Sequence, residues 1–213
     1  MTVWKNRLYI EVITPRAMKA IMCLLAVIST CLPAAAARDH APKLSATDSP
    51  LYSIRAVWHS DAGKEVALES LRGQPLVVAL FFTRCPESCP LMIKDLKAID
   101  AALPDTTRQA VNFLLISIDP DRDTPEVLQA YRAKSHLPDS WLLFNGPAEG
   151  VNQVATALGF KYVPGSTTNF GHSLLVTILD RDGRIAFQQA GVEVDRREAI
   201  KKLRALAMVP KRH

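Results

Sequence analysis

The stretch that decides the fold is Leu76–Thr83, the run LVVALFFT, followed by Arg84 and then by Cys85–Pro90, the run CPESCP. An uninterrupted apolar run with turn residues on both sides predicts a fully buried β-strand. Beyond these residues the apolar side chains recur at helical spacing, at Ile93, Leu96, Ile99 and Leu103. The sequence therefore predicts a buried strand that passes into a helix at a pair of cysteines.

Cys85 and Cys89 occupy the junction between this strand and the helix. Unpaired N–H groups and the positive end of the helix dipole stabilise thiolates at such a position. Because the two residues are four apart on a helical turn, we expect their sulfurs to face the same side. The pair is therefore predicted to be either reactive or chelating.

Residues 1–37 have the pattern of a secretory leader: basic residues come first, an uncharged run follows from 20 to 37, and an Ala-x-Ala sequence precedes Arg38. Met18 is a second candidate for the start of the chain. We expect the leader to be cleaved. The alternative is a retained anchor in the inner membrane, since the uncharged run is barely long enough to span a bilayer. In both cases the remainder is predicted to be exported to the periplasm and to act close to the membrane.

Removing the leader lowers the formal net charge from +5 to +2 and takes Cys23 and Cys31 with it. The weak charge and the lack of a basic patch in the sequence argue against nucleic acid as a partner. In an oxidising compartment, the remaining pair of Cys85 and Cys89 is a disulfide, a redox couple or a metal site. A purely structural disulfide is disfavoured, because closing so short a loop constrains the unfolded chain very little.

The exported part is predicted to be a flexible, polar tether over residues 38–50 and a single domain over residues 51–213. Helical patterns begin near Pro125, Pro147 and Asp195, and Thr124 is a natural N-cap for the first of them. The remaining strands are predicted at Leu51–Trp58, 65–67, Val111–Ile118, Trp141–Phe144, Leu174–Leu179 and Ile185–Gln189. This order predicts an α/β, thioredoxin-like fold: a mixed sheet flanked by helices, with an N-terminal hairpin extension and one inserted strand–helix unit.

His172 differs from the other histidines because it lies between an irregular loop and a strand of the last hairpin. In a thioredoxin-like sheet that loop approaches the cysteine turn, so His172 is a candidate ligand beside Cys85 and Cys89. Soft sulfur favours Cu(I), and an added imidazole nitrogen accommodates Cu(II). Zinc would accept the same three donors with water as a fourth ligand. Three protein donors leave one position open, which suits a site that hands its metal on.

Three motifs in this order resemble the Sco/SenC copper proteins: Phe82–Pro90, Ser117–Pro125, and Gly171–Ser173 ahead of a Leu-Asp-x-x-Gly turn. The resemblance covers about Leu51 to Leu206. It implies that Cys85, Cys89 and His172 are copper ligands. It also implies delivery of copper to, or maintenance of reduced thiols at, the binuclear copper site of cytochrome c oxidase subunit II. The expected partners are that subunit or another copper-site protein, together with an upstream copper donor.

Asp119 ends the strand next to the cysteine strand and is predicted either to support the site or to contact a partner, the alternative being a turn-forming role.

Two other functions are compatible with the thiol pair. One is a thiol–disulfide oxidoreductase in which Cys85 and Cys89 form a redox-active disulfide, although their spacing is not the Cys-x-x-Cys of redox motifs. The other is a peroxidase with Cys85 as the peroxide-sensitive thiolate and Cys89 as the resolving thiol.

Overall fold

The computed structural model describes residues 50–161, 174–191 and 194–208. Their strands form one mixed sheet of seven, in the order β2-β1-β5-β4-β3-β6-β7. The strands are β1 (Trp58–Ser60), β2 (Glu65–Val66), β3 (Leu76–Phe81), β4 (Asn112–Ser117), β5 (Leu142–Asn145), β6 (Leu175–Leu179) and β7 (Ile185–Ala190).

The helices of the described residues flank this sheet. They are α1 (Ser88–Ala102), α2 (Asp105–Arg108), α3 (Pro125–Ser135), α4 (Ala148–Leu158) and α5 (Arg196–Met208), with 3₁₀ helices at Pro50–Ser53 and Leu68–Leu71. The predicted N-cap is confirmed, because the Thr124 hydroxyl accepts a hydrogen bond from the N–H of Val127. Gly159 ends α4 with a φ of 68°, a left-handed conformation that glycine adopts without strain.

β3 is a fully buried inner strand of the sheet, as its unbroken apolar sequence predicts. All six of its residues are buried. It pairs in parallel with β4, from Leu76 opposite Asn112 to Phe81 opposite Ser117, and antiparallel with β6. The carboxyl ends of β3 and β4 therefore meet at one edge of the sheet, and the cysteines follow directly from there.

The thioredoxin-like fold predicted from the sequence is confirmed. The β4-β3-β6-β7 part of the sheet has two parallel strands followed by an antiparallel hairpin, while β5 and the β1–β2 hairpin extend it on one side. Since β3, β4 and β5 are successive parallel neighbours, right-handed crossovers place α1 and α3 on the same face. The Nζ of Lys97 in α1 accordingly donates a hydrogen bond to the carbonyl of Ser135 in α3, at 3.2 Å.

The strand predicted over Leu51–Trp58 is wrong for most of its length. A 3₁₀ helix occupies Pro50–Ser53, and the extended strand begins only at Trp58. Leu51 and Tyr52 are consecutive and both buried, which a strand packed on one face cannot achieve because its side chains alternate. The short helix α2 was also not predicted from the sequence pattern.

No helix in the described ranges is long and apolar enough to cross a membrane. The predicted leader at residues 1–37 lies outside those ranges. So does the predicted tether, apart from Pro50, which begins the first 3₁₀ helix.

The side chain of Trp58 packs so closely against Gly146 that position 146 has no room for a larger residue. A Cβ built on Gly146 would lie 2.4 Å from Cε3 of this fully buried indole. Gly146→Ala is therefore expected to lower the free energy of unfolding by about 1–3 kcal/mol, because neither the ring nor the backbone has room to move. Urea unfolding would measure the change against the exposed control Ser140→Ala, which should stay within about 0.5 kcal/mol of the unsubstituted protein. Equal stabilities for the two variants would contradict this packing.

Candidate functional site

Cys85 lies in the loop after β3, and Cys89 lies in the first turn of α1; their exposed fractions are 7% and 1%. The N–H of Cys89 donates a hydrogen bond to Sγ of Cys85, at 3.2 Å. Sγ of Cys85 also shares a hydrogen bond of 3.1 Å with the hydroxyl of Ser88. Both thiols thus lie at the start of a 15-residue helix, where the sequence predicts them.

The environment of Cys89 favours its neutral thiol. Its hydrogen bond with Cys85 and its burial both raise the pKa of the Cys89 thiol well above the usual range. A soft metal binds the thiolate, so occupying this pair would release protons. The site is therefore suited to exchange a metal ion for protons.

Asp123 holds the cysteine loop to the sheet. Its carboxylate is 1% exposed and accepts hydrogen bonds from the N–H of Thr83, at 3.0 Å, and from the hydroxyls of Thr83 and Ser117, at 2.5 and 2.6 Å. Its backbone carbonyl accepts a further bond from Nδ2 of Asn145, at 2.7 Å. Asp123 therefore joins the carboxyl ends of β3, β4 and β5.

Asp119 lies directly behind the same loop. Its carboxylate, 6% exposed, forms ion pairs with Arg84 at 2.8 Å and with Arg122 at 3.0 Å. Arg84 immediately precedes Cys85, so its ion pair connects Asp119 to the residue next to the thiol pair. A direct role of Asp119 toward a metal or a partner stays a prediction.

His172, the third predicted ligand, lies outside the described residues, as does the irregular loop before it. Within the described ranges no three His, Cys, Asp or Glu side chains come together as a metal site. Of the other histidines, His59 lies in β1, with its Nε2 4.0 Å from Oε1 of Glu65. His136 caps the end of α3 with a φ of 49°.

A groove of about 530 Å³ opens beside Cys85, between α1 and α3. Tyr131 lines it, with its ring centroid 5.3 Å from that of Phe81 in β3, and burial raises the pKa of Tyr131 to about 12. The tyrosine hydroxyl therefore stays protonated over the physiological range. The groove gives Cys85 an approach from solvent that the more buried Cys89 lacks.

The model of the SCO1/SenC family matches residues 57–208, which include the whole sheet and both cysteines. The chain belongs to the SCO1/SenC family. Among its relatives is a candidate copper-binding protein of Stutzerimonas stutzeri, 30% identical over 55% of this chain and 58% of that protein. The match thus spans little more than half the length of that relative.

Solved structures of Sco proteins have the same fold. The copper-bound structure of ScoI from Bradyrhizobium japonicum is 26% identical and matches with a TM-score of 0.59 over 71% of this chain and 96% of that chain. BsSco, a member of the Sco family of cytochrome c oxidase assembly proteins, matches with a TM-score of 0.62 at 22% identity over 74% of this chain and 94% of its own.

The sequence predicts the thiol pair but not the anchoring role of Asp123. The sequence signal for it is the run of alternating aspartates at the end of a predicted strand, Asp119, Asp121 and Asp123. Only the fold shows which of the three faces Thr83. The groove also was not predicted, because it is built from two helices that are distant in sequence.

Asp123→Ala is expected to lower the free energy of unfolding by about 2–4 kcal/mol, because the buried hydroxyl of Ser117 and the half-buried N–H of Thr83 lose their acceptor and a cavity is left. Asp121→Ala is the matched control, since Asp121 is exposed and lies two residues away. Urea unfolding should separate the two variants clearly. Equal losses would mean that the Asp123 network does not stabilise this edge of the sheet.

In the folded, metal-free protein, iodoacetamide is expected to modify Cys85 several-fold faster than Cys89. The reason is that Cys89 is more deeply buried and its pKa is raised, whereas Cys85 borders the groove. Peptide mass spectrometry after timed quenching would measure both rates. In denaturant the two rates should converge, and faster modification of Cys89 in the folded state would contradict the geometry.

Proposed function

We propose that this protein is an exported copper metallochaperone. In this proposal Cys85 and Cys89 bind Cu(I), and His172 completes the site for Cu(II). The cargo is delivered to the binuclear copper site of cytochrome c oxidase subunit II or to another copper-site protein. The observation that carries the proposal is the pair of buried thiols at the start of a helix in a SCO1/SenC fold, where the N–H of Cys89 donates a hydrogen bond to Sγ of Cys85.

Relatives support the choice of metal and pathway. The Stutzerimonas relative is named for copper binding, and the Bradyrhizobium structure contains bound copper. BsSco is named among cytochrome c oxidase assembly proteins. We carry these properties over to this chain as part of the proposal.

The donor set fits copper as a transferable cargo. Two thiolates are soft ligands that prefer Cu(I) over harder cations such as magnesium or calcium. The N–H of Cys89 and the helix dipole both stabilise negative charge at Cys85 Sγ, which compensates for its burial. Because the protein offers at most three donors in this proposal, a sulfur of a partner can enter before the others leave.

Release of copper is expected to begin at Cys85. Cys85 lies in a loop and borders the groove, whereas Cys89 is fixed within α1. After copper leaves, the environment that raises the pKa of Cys89 favours its reprotonation. Exchange of copper for protons would therefore favour transfer to a partner whose thiols are already ionised.

The second candidate function is a thiol–disulfide oxidoreductase, the alternative to copper transport. It is favoured by the position of the thiols at the start of a helix in a thioredoxin-like fold. In that reaction Cys85 and Cys89 would form a disulfide and give up two electrons and two protons, and the partner's disulfide would be reduced to two thiols. Keeping the thiols of a copper-site partner reduced would be one use of this chemistry.

The proposed location is the periplasm. It follows from the leader predicted at residues 1–37, with residues 38–50 as a tether that holds the domain near the inner membrane if the leader is retained. A copper donor in the same compartment would load the protein. We propose this arrangement together with the metallochaperone function.

Copper titration tests the proposal. The protein is expected to bind close to one copper per chain and to show a strong sulfur-to-Cu(II) charge-transfer band. Cys85→Ser or Cys89→Ser should abolish the band, and His172→Ala should shift it and weaken Cu(II) binding about tenfold or more. His136→Asn is the matched control, because His136 is exposed and lies at the end of α3.

Two outcomes would count against this assignment. Unchanged Cu(II) binding by His172→Ala would remove His172 from the ligand set. Turnover of an oxidised partner by the metal-free protein, together with no copper binding, would favour the oxidoreductase instead.

A further inference from the structure

The groove beside Cys85 is strongly basic. Lys94 and Lys97 reach it from α1, and Lys134 reaches it from α3. Arg84 also lines the groove, but its charge is paired with the buried Asp119. None of the described residues that line the groove is acidic.

The three lysines are not neutralised by the described part of the chain. Lys94 and Lys134 are exposed and form no ion pair there, and Lys97 donates only to the neutral carbonyl of Ser135. Lys94 and Lys97 are three residues apart on one helix, an arrangement of like charges that destabilises a helix. The fold thus concentrates positive charge at this place, and an anionic occupant would relieve the repulsion.

The mouth of the groove has the composition of a protein contact. Pro86 and Pro90 line it and are exposed. Leu91 follows Pro90 in sequence and does not line the groove, but it is an exposed apolar side chain with an exposed fraction of 50%. An exposed apolar rim beside unpaired charges is typical of a surface that meets another protein. A small anion would use the lysines but not this rim.

We propose that the groove docks a carboxylate-rich segment of a partner protein and thereby brings a cysteine of that partner to Cys85. This inference rests on the proposed function, since it assumes that Cys85 exchanges a ligand or an electron pair with a partner's thiol. The volume of the groove, about 530 Å³, is in the range of sites that bind a few side chains. Charge complementarity would speed the encounter and make it sensitive to salt.

A pair of peptide probes tests the docking. Each short peptide carries one cysteine as a 2-thiopyridyl disulfide, flanked either by glutamates or by glutamines. The Cys85 thiolate attacks the peptide sulfur, so that a new disulfide forms, the old one breaks, and pyridine-2-thione leaves with the electron pair. The absorbance of that product, after subtraction of the rate of the Cys85→Ser variant, reports the rate at Cys85 in the full-length protein, which also contains Cys23 and Cys31.

The unsubstituted protein is expected to react about tenfold faster with the glutamate peptide than with the glutamine peptide at low salt. The triple variant K94Q/K97Q/K134Q should reduce this ratio to less than about twofold, and so should high salt. The control K64Q/K201Q/K202Q removes the same charge from exposed or half-buried lysines that do not line the groove, and should keep the ratio. Urea unfolding would establish that both triple variants are folded.

A ratio near one in the unsubstituted protein, or an undiminished ratio in K94Q/K97Q/K134Q, would overturn the proposal. A different outcome would contradict the proposed copper function. A protein that keeps the ratio but binds no copper would contradict the metallochaperone and leave the docking groove standing.

Discussion

The site depends on one buried carboxylate. Asp123 accepts three hydrogen bonds from the ends of β3 and β4, and its carbonyl accepts a fourth from Asn145 at the end of β5. In an interior of low dielectric such a network is strong when complete and unfavourable when one partner is missing. Thr83 is the second residue of the loop that leads to Cys85, so the start of this loop is fixed by the Asp123 carboxylate rather than by the loop's own sequence.

The chemistry of the thiols follows from where that loop ends. Cys89 enters the helix and is almost fully buried, while Cys85 stays in the loop and borders the groove. The sulfur of Cys89 is therefore held in place by the helix, and the sulfur of Cys85 can be approached from the groove. For a metallochaperone this asymmetry gives the cargo a retaining ligand and an exchanging ligand, and for a thiol–disulfide oxidoreductase it gives a resolving and an attacking thiol. The same geometry thus serves both candidate functions, and the identity of the cargo separates them.

Features that are local in sequence were predictable. The apolar run of β3 and the Thr124 cap of α3 have signals within a few residues, and the structure contains both. The strand predicted over Leu51–Trp58 was wrong because consecutive buried residues need a turn, and burial of both cannot be read from a short apolar pattern. The Asp123 network and the basic groove join residues that are far apart along the chain, so they emerge only when the sheet order is known.

We propose that Cys85, Cys89 and His172 together bind copper. X-ray absorption at the copper edge of the loaded, full-length protein tests it most directly, because sulfur and nitrogen scatterers are distinguished by their distance and phase. We expect a first shell of two sulfurs with an imidazole nitrogen in the Cu(II) form, and the same two sulfurs in the Cu(I) form. A shell made only of nitrogen and oxygen, or one with a single sulfur, would contradict it.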